Sequence, residues 1–341
     1  MFAFEKLKRL RQRRITTCGS AQLASSRMLN DTLMKRNTTM RVTGMLLLAA
    51  VGGLPETRAA LNVVATLPDY GALAMEVGGN KLKVTNLAKG TEDPHFVDAR
   101  PSFIRALNQA DLLLEGGAEL EIGWLPPLLT SARNPKILTD TGHLPLSRGL
   151  TLRDVPTGPI DRSMGDVHPA GNPHYNLDPL NGKLMAAAIA EALSRLDPAD
   201  QSVFQTNLQR FTTRLDAKLV EWTRVLQPFR GTKVLTYHRS FDYFLERFGF
   251  VLVGTIEPRP GLEPSPAHIN TLIPKAKEAG VKLVLIEPNR PRRTPTQVAE
   301  AIGARLVLLP ILVGGADKAN DYVALFDYNV ARLVEALQPP K

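Results

Sequence analysis

Six histidines occur in a chain of 341 residues, and three of them, His95, His174 and His238, follow a proline or a tyrosine in short polar stretches. Their contexts are Glu92-Asp93-Pro94-His95-Phe96, Asn172-Pro173-His174-Tyr175-Asn176-Leu177-Asp178-Pro179 and Leu235-Thr236-Tyr237-His238-Arg239-Ser240-Phe241. Neutral imidazole nitrogen is a favoured ligand for zinc and for several other divalent ions. Ligands separated by roughly 60 to 80 residues cannot form a local finger, so only a folded core can bring them together. Taken singly, each histidine reads as readily as a hydrogen-bonded structural residue. The chemistry lies in their convergence, if they converge.

The only cysteine is Cys18. Past that point disulfides and thiolate-held zinc are excluded, and a metal must rely on imidazole, carboxylate and water. The net charge of +9 is concentrated at the start: residues 1–59 hold eleven Lys and Arg against three Asp and Glu. The remainder is close to neutral, so the basic balance does not point to nucleic acid. Arg41 precedes an apolar run over 44–54, and small residues follow up to Ala59 and Ala60. This pattern fits a secretory signal cleaved near Ala59, and the run is too short to span a bilayer. The alternative is a buried helix with an unrelated basic tail. With Met40 directly before the run, translation starts at either Met1 or Met40. No cysteine follows the run, so lipid attachment there is not expected.

Positioning three distant histidines requires a layered fold. Residues 61–67, 82–87, 111–115 and 136–139 read as strands, with helices over 69–77 and 101–109 between them. Continuous apolar strands alternating with helices predict a parallel sheet covered on both faces. Residues 150–178, rich in Gly, Pro, Asn and His, read as an ordered loop. Residues 180–226 read as helical. From Asp197-Pro198 onward, Phe204, Leu208, Phe211, Leu215, Leu219, Trp222 and Leu226 recur every three or four residues and form one apolar stripe. Such a rod either packs along two lobes or lies within one domain. A second alternating series follows, with strands over 233–237, 250–254, 282–287 and 305–312 and helices over 266–279, 295–302 and 320–337. His95 and His238 then both follow strands, in opposite halves, where open α/β sheets place ligands.

The Asp93-Pro94-His95 segment followed by Pro101-Ser102, the Asn172-Pro173-His174 segment with Leu177-Asp178-Pro179, and Thr236-Tyr237-His238 with Phe241-Asp242-Tyr243-Phe244 stand in this order behind a signal sequence. Together they resemble the zinc- and manganese-binding proteins of bacterial ABC importers, across residues 61–338. The resemblance implies an α/β fold of two Rossmann-like lobes with parallel sheets, joined by one long rigid helix, with a metal cleft between them. The corresponding division is a leader and signal peptide over 1–59, a first lobe over 60–180, a helical segment over 181–228 and a second lobe over 229–341. The resemblance further implies a periplasmic monomer that binds one divalent ion, passes it to a membrane permease, and has no nucleic-acid partner and no enzymatic activity. His95, His174 and His238 take the first three ligand positions. Histidine at the third resembles zinc-type members, whereas several manganese members carry glutamate there. The fourth ligand is expected from the loop 312–322, with Asp317 the better placed, Asp321 next and water as the substitute. Either aspartate reads equally as a carboxylate at a helix N-terminus.

His168 is close to His174 in sequence and reads as a peripheral or alternative ligand, or as a surface loop residue. His143 and His268 read as structural. Glu257, Glu263 and Glu287 are candidates to hydrogen-bond a ligand imidazole. A secreted zinc hydrolase is the competing reading, since three histidines and a water also describe a catalytic site. Neither HExxH nor GxSxG is present to support it.

Overall fold

The computed structural model describes residues 59–158, 165 and 167–338. The apolar run over 44–54, its basic flank and Cys18 lie outside the described residues. The first parallel sheet has the order β2-β1-β3-β4, built from β1 (Leu61–Ala65), β2 (Leu82–Asn86), β3 (Leu112–Glu115) and β4 (His143–Pro145). The second repeats the layout as β6-β5-β7-β8, from β5 (Lys233–Thr236), β6 (Val251–Thr255), β7 (Leu283–Ile286) and β8 (Arg305–Leu308), again parallel throughout. Two α/β lobes with the same strand order therefore make up this part of the chain. In each, the strand order reverses beside the first strand, which opens a crevice at the carboxyl ends.

Local sequence explains most helix ends. Proline occupies the first turn of α1 (Pro68–Gly78), α2 (Pro101–Gln109), α4 (Pro179–Leu196) and α7 (Pro266–Ala279), where its missing N–H costs nothing. Asp178 and Ser265 cap α4 and α7 by accepting from Leu180 N and His268 N. Glycines in the left-handed conformation end α6 (Asp242–Phe248), α7 and α8 (Arg293–Ile302). Neither α3 (Leu125–Ala132) nor α6 was expected from the sequence. Pro126 and Pro127 look like breakers in α3, yet they sit in its tolerant first turn.

The expected strand over 136–139 is corrected. Lys136–Leu138 form a single 3₁₀ turn, and the fourth strand is β4, seven residues later. The Asn134 side chain accepts from Lys136 N and closes that turn, while Ile137 points inward and Leu138 outward. Held in this way, the segment turns instead of extending beside β3.

The long apolar stripe forms α5 (Gln201–Leu226), 26 residues and so roughly 39 Å in length. Phe204, Phe211, Leu215, Trp222 and Leu226 are all buried along it. It packs on α1 and α4 at one end and on α9 (Tyr322–Leu337) at the other. Trp222 stacks on Phe326 and donates its indole N–H to Asp327, while Phe211 meets Tyr322 edge-on. Gly182 of α4 leaves room for the Tyr322 ring, whose hydroxyl donates to the Asn176 carbonyl. One apolar core thus runs from the first sheet along α5 into one face of the second sheet, and a separate core fills the other face under α7 and α8.

Candidate metal centre

His95 and His174 are positioned by the same local device. The Asp93 side chain accepts the backbone N–H of His95 at 3.0 Å, and the Asn172 side chain accepts that of His174, also at 3.0 Å. In each case the intervening proline fixes φ, so an Asx-Pro-His turn presents the ring in a defined direction. The first turn is held from behind by the Trp124 indole, which donates to the Pro94 carbonyl. The second is tied across to the other lobe: Asn172 Nδ2 donates to Arg239 O, and the Tyr243 hydroxyl donates to Asn172 O. His238 follows β5 after one intervening residue. The parallel register continues past the strand ends, with Glu257 N donating to Tyr237 O, which sets Glu257 beside His238.

The three rings converge. Their ligating nitrogens lie within 4.8 Å of one another, the one such group of His, Cys, Asp or Glu among the described residues. Ring centroids are 5.1 to 5.4 Å apart, and all three side chains are buried. His174 Nε2 and His238 Nε2 approach to 3.2 Å. Two zinc–nitrogen bonds at a tetrahedral angle place their nitrogens roughly 3.3 Å apart, so this spacing suits a shared cation.

The partners of the rings determine which nitrogen is free. His95 Nδ1 meets Asp93 at 2.9 Å and His238 Nδ1 meets Glu257 at 2.8 Å. A carboxylate only accepts, so both rings carry their proton on Nδ1 and turn an Nε2 lone pair to the centre. His95 Nε2 is buried there without a hydrogen-bond partner. Burial pushes the His95 imidazole below its ordinary value of 6.5, and burial with the neighbouring rings pushes His174 well below it. Both are therefore neutral, as ligands must be. Burial alone would raise Asp93, but its hydrogen bonds to His95 and the Arg290 charge outweigh it and hold the carboxyl below the ordinary carboxylate range. Arg290 also closes a bridge between the lobes. One guanidinium nitrogen is 3.1 Å from Asp93 and another is 3.5 Å from Glu257, so the supports of His95 and His238 share one cation.

The remaining expected residues divide clearly. Asp317 is exposed and lines a surface cavity with Tyr328 and Arg332, outside the histidine group. Asp321 accepts from Ala324 N and caps α9. The loop before it contributes its backbone instead, as Val313 N donates to buried Asp69 of α1. Glu257 supports an imidazole as described, whereas Glu287 is buried beside Ser240 and makes no hydrogen bond to a ligand imidazole. His143 sits in β4 against the Glu115 carboxylate, and His268 bonds the Thr255 carbonyl. Sequence reasoning missed Arg290, because the run Arg290-Pro291-Arg292-Arg293 looks like a solvated turn. Only its approach to Asp93 distinguishes it.

The chain matches the family described as zinc-uptake complex component A, periplasmic, over residues 63–336. It is 27% identical to the high-affinity zinc uptake system protein ZnuA of Paracoccus denitrificans over 295 residues, covering 76% of this chain and 87% of that relative. It is 24% identical to the manganese ABC transporter substrate-binding lipoprotein PsaA of Streptococcus pneumoniae serotype 4 over 317 residues, covering 89% of this chain and 99% of the relative. A crystal structure of ZnuA is similar with a TM-score of 0.69 at 26% identity, covering 82% of this chain and 100% of that one.

Proposed function

The chain belongs to the family of periplasmic component A of zinc-uptake complexes, and from that premise we propose that the ion it captures is zinc, held by His95, His174 and His238. It is a solute-binding protein that takes up a divalent metal ion for an ABC importer. Its relatives include both zinc and manganese proteins, so the choice of ion rests on the donor set of this chain. The observation that carries the reading is the convergence of three buried imidazoles with no carboxylate among them. Nitrogen-rich, roughly tetrahedral sites favour zinc, whereas manganese suits oxygen donors.

The ion is cargo, and the protein acts outside the cytoplasm as a monomer that hands it to a membrane permease without turnover. Asp93 and Glu257 raise the basicity of the imidazoles they bond and hold the rings in place. The long helix α5, buried against both lobes, keeps opening of the cleft small.

Metal analysis of protein purified from the periplasm without added metal tests the proposal, together with competition between zinc and manganese. One zinc per chain, displaced poorly by excess manganese and with no hydrolytic turnover, is the expected result. Manganese recovered as the bound ion, or preferred in competition, overturns the choice of zinc.

A further inference from the structure

Three histidine ligands leave one position of a tetrahedral zinc site to fill, and neither expected aspartate is in the histidine group. His168 lies in the loop before His174, at the edge of the group of three, with its ring centroid 5.2 Å from that of His95. Its Nε2 is buried and has no hydrogen-bond partner, as is true of His95 Nε2. It lines a cavity of about 130 Å³ together with His174 and His238. The same loop therefore supplies two rings to one small, partly open cavity.

The surrounding chain is built to hold His168 there. Gly171 N donates to His168 O, and Asn172 N donates to Arg153 O, so a closed turn links His168 rigidly to the Asx-Pro-His turn of His174. Gly171 has φ of 110°, and a Cβ there would lie 2.5 Å from Arg153 O, so the turn depends on glycine. On its other side His168 hydrogen-bonds the backbone of Ala118. Ala118 and Glu119 follow Gly117 in a run of positive φ, 69°, 53° and 64°, which non-glycine residues adopt only under strain. Buried Glu121 holds that run by accepting from Gly116 N and Gly117 N. A strained turn thus sets its backbone against the His168 ring, whose Nε2 is left without a partner.

We propose that His168 Nε2 is the fourth ligand, so that the bound cation is held by four imidazoles and no carboxylate. This rests on the reading of His95, His174 and His238 as ligands. An all-imidazole set discriminates against manganese more strongly than three imidazoles and an oxygen do, because it removes the last oxygen donor. His168 is then the residue that sets ion preference.

X-ray absorption at the zinc edge counts the rings. The wild-type zinc complex is expected to show four imidazoles, and His168→Ala to show three with one oxygen. The variant should also lose at least tenfold in preference for zinc over manganese while still binding one zinc. Three imidazoles and an oxygen in the wild type overturn the proposal, and that spectrum decides even if the variant fails to fold. A variant with unchanged ring count and unchanged preference overturns it as well. If the wild type binds no zinc at all, it is the three-histidine reading that fails.

Discussion

Replacing His238 by alanine tests the site at its best-defined point, because its Nε2 faces His174 Nε2 at 3.2 Å and its Nδ1 is held by Glu257. Zinc held by a full set of protein ligands binds with about 10–16 kcal/mol. An equal share among four ligands is then about 2.5–4 kcal/mol, or roughly 10²–10³ in Kd. Water entering the vacated position recovers part of this, so the lower end is the firmer expectation. The fold should survive, since Glu257 retains Arg290 as a partner and the two buried cores do not depend on the imidazole. Competition against a fluorescent zinc chelator, with folding checked by circular dichroism, measures the effect. His268→Ala is the matched control, because its ring bonds the Thr255 carbonyl and lies outside the histidine group. A His238→Ala protein that binds zinc within threefold of the wild type would refute the assignment of these rings as ligands.

Glu257→Gln keeps the shape but weakens the hydrogen bond to His238 Nδ1, and zinc affinity should fall about 10- to 100-fold in the same chelator assay. Zinc affinity should stay nearly level from pH 8 to 6.5 and decline only below that. The sign follows from burial, which depresses His95 and His174 below 6.5, so protons compete for these nitrogens only at lower pH. A tenfold loss between pH 7.5 and 6.5 in a calorimetric titration would contradict this. Gly90→Ala places a Cβ 2.2 Å from Val313 O, where the first lobe meets the loop after β8. The protein should lose about 1–3 kcal/mol of stability, seen as a lower Tm, and an unchanged Tm would show that the contact gives way freely.

Much of the architecture was legible because burial leaves a periodic trace. The stripe from Phe204 to Leu226 became α5 with Leu208 and Leu219 on its margins, and the apolar runs at 61–65, 233–236 and 283–286 became inner strands. Where the pattern was short it misled. Lys136–Leu138 is apolar enough for a strand, but the Asn134 side chain closes it into a turn, and β4 has only three residues to announce itself. The carboxylates of the loop after β8 misled for a related reason. Asp321 had to serve the helix it begins, and the contact of that loop with the first lobe is made by a peptide N–H, which no side-chain pattern records.

By itself the sequence determined the donor chemistry: imidazoles without thiols, two of them in Asx-Pro-His turns whose geometry is local. Hydrogen bonds over two residues and a proline-restricted φ need no distant partner, so they can be read directly. Only the tertiary structure decided which donors meet. The pairing of His238 with Glu257, the sharing of Arg290 between Asp93 and Glu257, and the approach of His168 to His95 all join segments far apart in the chain. Such contacts depend on strand register and on how two lobes pack along one helix, and these arise from the summed burial of many apolar residues rather than from any motif.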